Sequence, residues 1–158
     1  MSLYLALATL LIGCGSAPSA ELGTGEDSFV AIADGDEIEV IQGPQGGYHI
    51  LGSVLTSNLE VGNADDLSDT TNPTVVFRVL RDSEPIDVGI QYTQGLRESD
   101  DGRFGLFGRR VILDIDSDSE LDQVEVEMVV QVRDIEGTVV EDSRTLLAVP
   151  HPLNGTQY

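Results

Sequence analysis

The run Asp114-Ile-Asp-Ser-Asp-Ser-Glu-Leu-Asp122 sets carboxylates at alternate positions. Calcium takes about six to eight oxygen ligands at short range, so Asp114, Asp116, Asp118 and Asp122 are candidate calcium ligands. The run departs from a helix-flanked calcium loop at its sixth position, where Ser119 stands in place of the usual Gly. Glu125 does fall at the twelfth, but strand-like sequence follows it. The competing reading is an acidic turn whose charges face water. A second set lies in Gly43-Pro-Gln-Gly-Gly-Tyr-His49. Here Gln45, Tyr48 and His49 are candidates for a small polar recognition patch at a loop-bearing end of the domain. The alternative gives the glycines to a turn, Tyr48 to packing and His49 to a hydrogen bond at a strand start. The second histidine, His151, adds little, because two His without Cys complete neither a tetrahedral zinc site nor a thiolate copper site. No serine sits in a nucleophile elbow and no glycine-rich loop opens a helix to hold phosphate. Carboxylate pairs of the kind hydrolases use occur throughout, and that abundance makes each pair uninformative. No catalytic residue is assigned, and calcium is the one cofactor the sequence leaves open.

Cys14, the single cysteine, has a chemistry of its own. It closes Leu11-Ile12-Gly13-Cys14, which resembles the lipobox of bacterial lipoproteins at all four positions. Ahead of it, Leu3 to Ile12 is an apolar run of signal-peptide length, too short to cross a hydrocarbon core that needs about 20 residues. Met1-Ser2 carries no Lys or Arg, so either the true start lies upstream or the leader is a weak one. A buried N-terminal helix is the competing reading, which Gly13-Cys14-Gly15-Ser16 would stop abruptly. The resemblance implies that residues 1–13 are a signal peptide and that Cys14 carries a diacylglyceryl group on sulfur and an acyl chain on its freed amine. Two such signals anchor a protein where a single acyl chain does not. Gly15 follows the cysteine where Asp would mark retention, which implies the outer membrane, facing the periplasm or the cell surface. A single cysteine excludes an intrachain disulfide, and lipidation gives the lone thiol a use.

The segment Glu39 to Leu51, with its Gly-Pro-Gln-Gly-Gly-Tyr-His core, is similar to an uncharacterised family of short acidic bacterial lipoproteins. That resemblance implies a fold and an address and no activity. The expectation is therefore a non-catalytic binding or structural module of the cell envelope, touching the membrane through its lipid and an envelope protein through its loops. The alternatives are a calcium-stabilised adhesion or structural module and, third, an envelope hydrolase.

Eight Arg and no Lys stand against 28 Asp plus Glu, for a formal charge of −20. That balance excludes nucleic acid as a direct partner, since phosphate binding needs basic patches. From Glu21 to Asn72 there are eleven acidic residues and no basic one.

The elements that must position these residues read as β. Residues 14–28 are small and polar and are expected to form the lipidated cysteine and a flexible tether. From Phe29 apolar-rich runs recur between Gly, Pro, Asn and Asp clusters: 38–41, 48–56, 74–80, 86–93, 110–115, 123–133 and 138–149. Val75, Phe77 and Val79, then Ile86, Val88, Ile90 and Tyr92, then Val124, Val126, Met128, Val130 and Val132 recur at every second position, which sets one face inward. Their neighbours, Arg78, Asp87, Gln91, Glu125 and Glu127 among them, are expected to face outward. Pro44 followed by Gly46 predicts a three-residue hairpin, and Asp134-Ile-Glu-Gly137 a second tight one. About seven strands with one-sided burial predict an antiparallel β-sandwich of immunoglobulin-like type over 29–150, with 151–158 as a C-terminal tail.

Overall fold

The computed structural model describes residues 16–156, and the expected signal segment and lipidation site, residues 1–14, lie outside them. Among the described residues there are eleven strands: Ser19–Thr24 (β1), Val30–Ala31 (β2), Glu37–Gln42 (β3), Tyr48–Ser57 (β4), Thr74–Arg81 (β5), Glu84–Pro85 (β6), Gln91–Thr93 (β7), Arg97–Glu98 (β8), Phe104–Leu113 (β9), Val124–Arg133 (β10) and Val139–Pro150 (β11). A 3-10 turn covers Asp118–Glu120.

The strands form one hydrogen-bonded network folded into two layers. In the first, β1, β4, β9 and β8 lie side by side, and β2 extends the edge at β1. In the second, β5, β10 and β11 pair antiparallel, and β6 and β7 share the free edge of β5. In chain order, β1, β4, β5, β8, β9, β10 and β11 thus fill the seven positions A to G of an immunoglobulin-like sandwich, with layers ABED and CFG. The four additional strands are β2, β3, β6 and β7. One of them makes the fold mixed where the sequence predicts it antiparallel: β3 runs parallel to β11 from Glu37 to Val40 and then antiparallel to β4 at Ile41 and Gln42.

The alternation in the sequence is the packing in the structure. Val75, Phe77 and Val79 of β5 and Val126, Met128, Val130 and Val132 of β10 are buried, opposite Ile50 and Val54 of β4 and Val111 and Leu113 of β9. Each such side chain contributes about 1.5–3 kcal/mol when fully buried. The layers approach closely at Gly52, where a Cβ would come within 2.9 Å of the Phe77 ring and 3.0 Å of the Met128 methyl.

Three expectations need correction. Residues 19–24 do not belong to the expected tether of 14–28, because Ser19 to Gly23 pair with Ser57 to Ser53 of β4, and Leu22 is fully buried in the core. One large apolar residue among small ones has no periodicity to read, and the strand is decided by the open edge it meets. The run 86–93 is not one strand. Gly89, at φ +71°, breaks it, so Val88 and Ile90 are exposed, whereas Ile86 is buried and Tyr92, half-buried, packs against the core. Asp87 turns inward instead of outward. Its carboxylate, 1% exposed, pairs with Arg78 at 3.1 Å and accepts the backbone N–H groups of Val79 and Gly89, both at 2.8 Å. The tail from His151 folds back onto β3, where the His151 N–H donates to Val40 O at 2.9 Å.

If β1 belongs to the domain, Leu22→Ala opens a cavity at the edge of the core and costs about 2–5 kcal/mol. Chemical denaturation measures it; a loss under about 0.5 kcal/mol, the range of surface substitutions, would return residues 19–24 to the expected tether.

Candidate functional site

The motif Gly43 to His49 forms the predicted hairpin between β3 and β4. The Gly46 N–H donates to Gly43 O at 2.9 Å, closing a turn with Pro44 and Gln45 at its corners, and the Gly43 N–H donates to Gly47 O at 2.7 Å. Gly46 sits at φ +89° with open space around it, so the backbone conformation, not crowding, requires a glycine there. The hairpin Asp134–Thr138 repeats the device, with Gly137 at φ +86° and the Thr138 N–H held by the Asp134 carboxylate at 2.8 Å.

Side chains from the far end of the sequence complete the site. Gln42 donates from its amide to the Tyr48 hydroxyl at 3.4 Å and accepts the Gly155 N–H at 2.9 Å. Asn154 accepts the Gln42 N–H at 2.8 Å and donates to Val40 O at 2.8 Å and to Asp118 Oδ2 at 2.7 Å. Together the hairpin and the tail bound an open groove of about 550 Å³, lined by Gln42, Gly43, Pro44, Gly46, Leu153 and Thr156. Sequence reasoning missed Gln42 and Asn154, because their partners are more than a hundred residues away. The one local signal was the polar pair Asn154-Gly155 after the last strand.

The expected patch of Gln45, Tyr48 and His49 is not brought together. Gln45 is exposed at the hairpin tip. Tyr48 and His49 are successive strand residues and point to opposite faces. Tyr48 packs against the core beside Gln42, whereas His49, 8% exposed, sits on the outer face with Ile41 and Ile112 directly across from it on either side. Among the described residues its ring makes no hydrogen bond, contrary to the expectation of one at the strand start. Burial, and secondarily the Arg110 charge, hold its pKa below the ordinary histidine value.

The acidic run is a capped turn. Glu120 accepts the N–H groups of Asp116 and Ser117 at 2.8 and 3.0 Å, and Ser117 caps the 3-10 turn in a reciprocal box. Asp118 is engaged by Asn154, and Asp114, Asp116 and Asp122 are exposed. Among the described residues no three His, Cys, Asp or Glu side chains converge as a metal site requires. The four calcium candidates are therefore not gathered around a common point. His151 lies 3.8 Å from Glu39 and far from His49 in function, since its Nδ1 accepts the Leu153 N–H at 3.2 Å to shape the tail.

Compared with known protein families and with curated proteins, the chain matches none.

Two measurements probe this end. Gly46→Ala is expected to cost about 1–2 kcal/mol through the left-handed backbone alone; a variant as stable as the parent would show that the hairpin relaxes into another turn. For His49 the sign follows from burial. The unfolded imidazole takes its proton near pH 6.5 and the folded one only below that. The unfolded state therefore binds more protons in this window, and stability falls as pH drops from about 6.5 through the folded value. The melting temperature of the parent should fall more between about pH 7.5 and about pH 5.5 than that of His49→Gln, and parallel declines would remove His49 as the cause.

Proposed function

We propose that this chain is a non-catalytic binding module held at the bacterial cell envelope by lipid on Cys14, with its recognition surface at the hairpin and tail. The observation that carries this reading is the position of the chain's entry into the sandwich. Ser16 accepts a hydrogen bond from Asn58 just beyond the end of β4, and β1 starts opposite Ser57. The groove lies at the other end of the same strand, at Tyr48. Ten residues of β4 span about 33 Å.

Between Cys14 and β1 stand Gly15, Ser16, Ala17 and Pro18. Extended chain covers at most about 3.6 Å per residue, so a lipid on Cys14 holds the near end of the domain within about 18 Å of the bilayer surface. A short leash of this kind orients the sandwich on end, with the loops 58–73, 99–103 and 134–138 toward the membrane and the groove away from it. The groove is then the surface that a partner in the envelope meets first. Its side chains Gln42 and Asn154 are engaged in holding the hairpin and tail, which suits a shaped recognition surface better than a reacting centre. An envelope protein is the proposed partner.

Cys14→Ser expressed in a bacterium with lipoprotein processing should lose palmitate labelling and leave the membrane fraction. Retained label and retained membrane association would overturn the anchor. A photo-crosslinking residue at Gln45 should give a discrete adduct with an envelope protein, and the same residue at Glu136, at the membrane end, should not. The absence of an adduct from position 45 would overturn the placing of recognition at the hairpin.

A further inference from the structure

Asn154 is the one asparagine of four that a glycine follows; Asn58, Asn63 and Asn72 precede Leu, Ala and Pro. The pair has a chemistry of its own. With no side chain to hinder it, the nitrogen of the glycine reaches the asparagine side-chain carbonyl, and the five-membered ring that forms expels ammonia. That attack needs the backbone and side chain of the pair to turn freely, and the docked tail forbids it. Asn154 Nδ2 donates to Val40 O at 2.8 Å and to Asp118 Oδ2 at 2.7 Å, and its Oδ1 accepts the Gln42 N–H at 2.8 Å. The Gly155 N–H donates to Gln42 Oε1 at 2.9 Å. The attacking nitrogen and the departing one are thus both held by β3 and the turn beside it.

The same partners fix which way the amide points, because Val40 O and the Asp118 carboxylate accept and the Gln42 N–H donates. An aspartate at 154 cannot satisfy them. It sets one oxygen against the Val40 carbonyl or a second negative charge against Asp118, and two donors are lost. We propose that Asn154-Gly155 is a deamidation site that works as a one-way latch on the tail, closed while the amide is docked and locked open once the amide is gone. The Gly155 nitrogen bonds to Asn154 Cγ as the amide leaves with the Gly155 proton as ammonia. Water then opens the succinimide at either carbonyl, giving aspartate or isoaspartate. The isoaspartate branch also lengthens the backbone and moves Gly155 out of step with Gln42. Chain ends open locally far more often than the whole domain unfolds, so the reaction runs from the undocked tail. Leu153, Gly155 and Thr156 line the groove, and release of the tail removes that wall. The latch depends on the docking bonds alone and works whether or not Cys14 carries lipid.

The test follows the C-terminal tryptic peptide of the full chain during incubation in mildly alkaline buffer. Arg144 is the last arginine and the chain has no lysine, so trypsin releases residues 145–158 whole, with Asn154 their one asparagine. The mass gain of an amide turned acid, placed at 154 by fragmentation, should accumulate about tenfold or more faster in urea than in the folded chain. Gln42→Ala frees the Gly155 N–H and leaves the reacting pair intact, so it should quicken the folded chain severalfold. Gln91→Ala, exposed on β7, should leave the rate unchanged. Asn154→Asp stands in for the product: the Gln42 and Gly155 amides should exchange about tenfold or more faster than in the parent, while the β10 amides keep their protection and so report an intact fold. No product in urea, equal rates in the folded and unfolded chain, no effect of Gln42→Ala, or undiminished protection of Gln42 and Gly155 in Asn154→Asp would each overturn the latch.

Discussion

The passage of β3 from one layer to the other holds the molecule together. Its first four residues bond parallel to β11 and its last two bond to β4, so a single strand joins both sheets and covers an edge of each. Unpaired edges invite association with other chains, and a strand shared in this way covers two at once. Val40, at the crossing, is fully buried, and its carbonyl accepts both the His151 N–H and the Asn154 amide. The hairpin, the tail and the 3-10 turn all rest on this point. The groove exists because β3 ends where it does.

The acidity of the chain has a structural side as well as an electrostatic one. Many carboxylates cap backbone N–H groups where the strands are irregular. Asp142 accepts from Leu22 where β1 crosses to β11, Asp34 from Thr145, Asp36 from Ala33 and Glu120 from Asp116 and Ser117. In the loop before β5, Asp66 and Asp69 are held below the usual carboxylate range, first by the hydroxyls of Ser68 and Thr71 and then by the N–H groups of the same residues. A carboxylate so engaged is stabilised by dipoles rather than by cations. The chain can therefore carry 28 acidic residues with 8 arginines and still order its connections.

Each end of the sandwich bears an open groove, of about 510 Å³ beside Ser57, Asn58 and Gly102 and of about 550 Å³ at the hairpin and tail. At the end where the described chain begins, loops are tied to one another by polar bonds, such as Asn58 to Ser16 and Glu60 N–H to Asp134. At the other end the hairpin and the tail enclose space. A lipid on Cys14 would decide which of the two lies nearer the bilayer, because so short a leash keeps the end at β1 close to it.

From the sequence alone the inward faces of β5 and β10, both glycine hairpins and the layered all-β class were legible, because alternation and turn chemistry are local properties of neighbouring residues. What tertiary structure decided lay between distant residues. Ser19 to Thr24 became a strand because β4 offered an edge, and the run 86–93 was divided at Gly89, with Asp87 drawn inward by Arg78 and two backbone amides. Tyr48 and His49, adjacent in sequence and alike in polarity, were separated by the pleat onto opposite faces. Asn154 joined Gln42 through a contact that no window of sequence contains. Local patterns record which way a side chain must face; which partner it meets there depends on how the layers close.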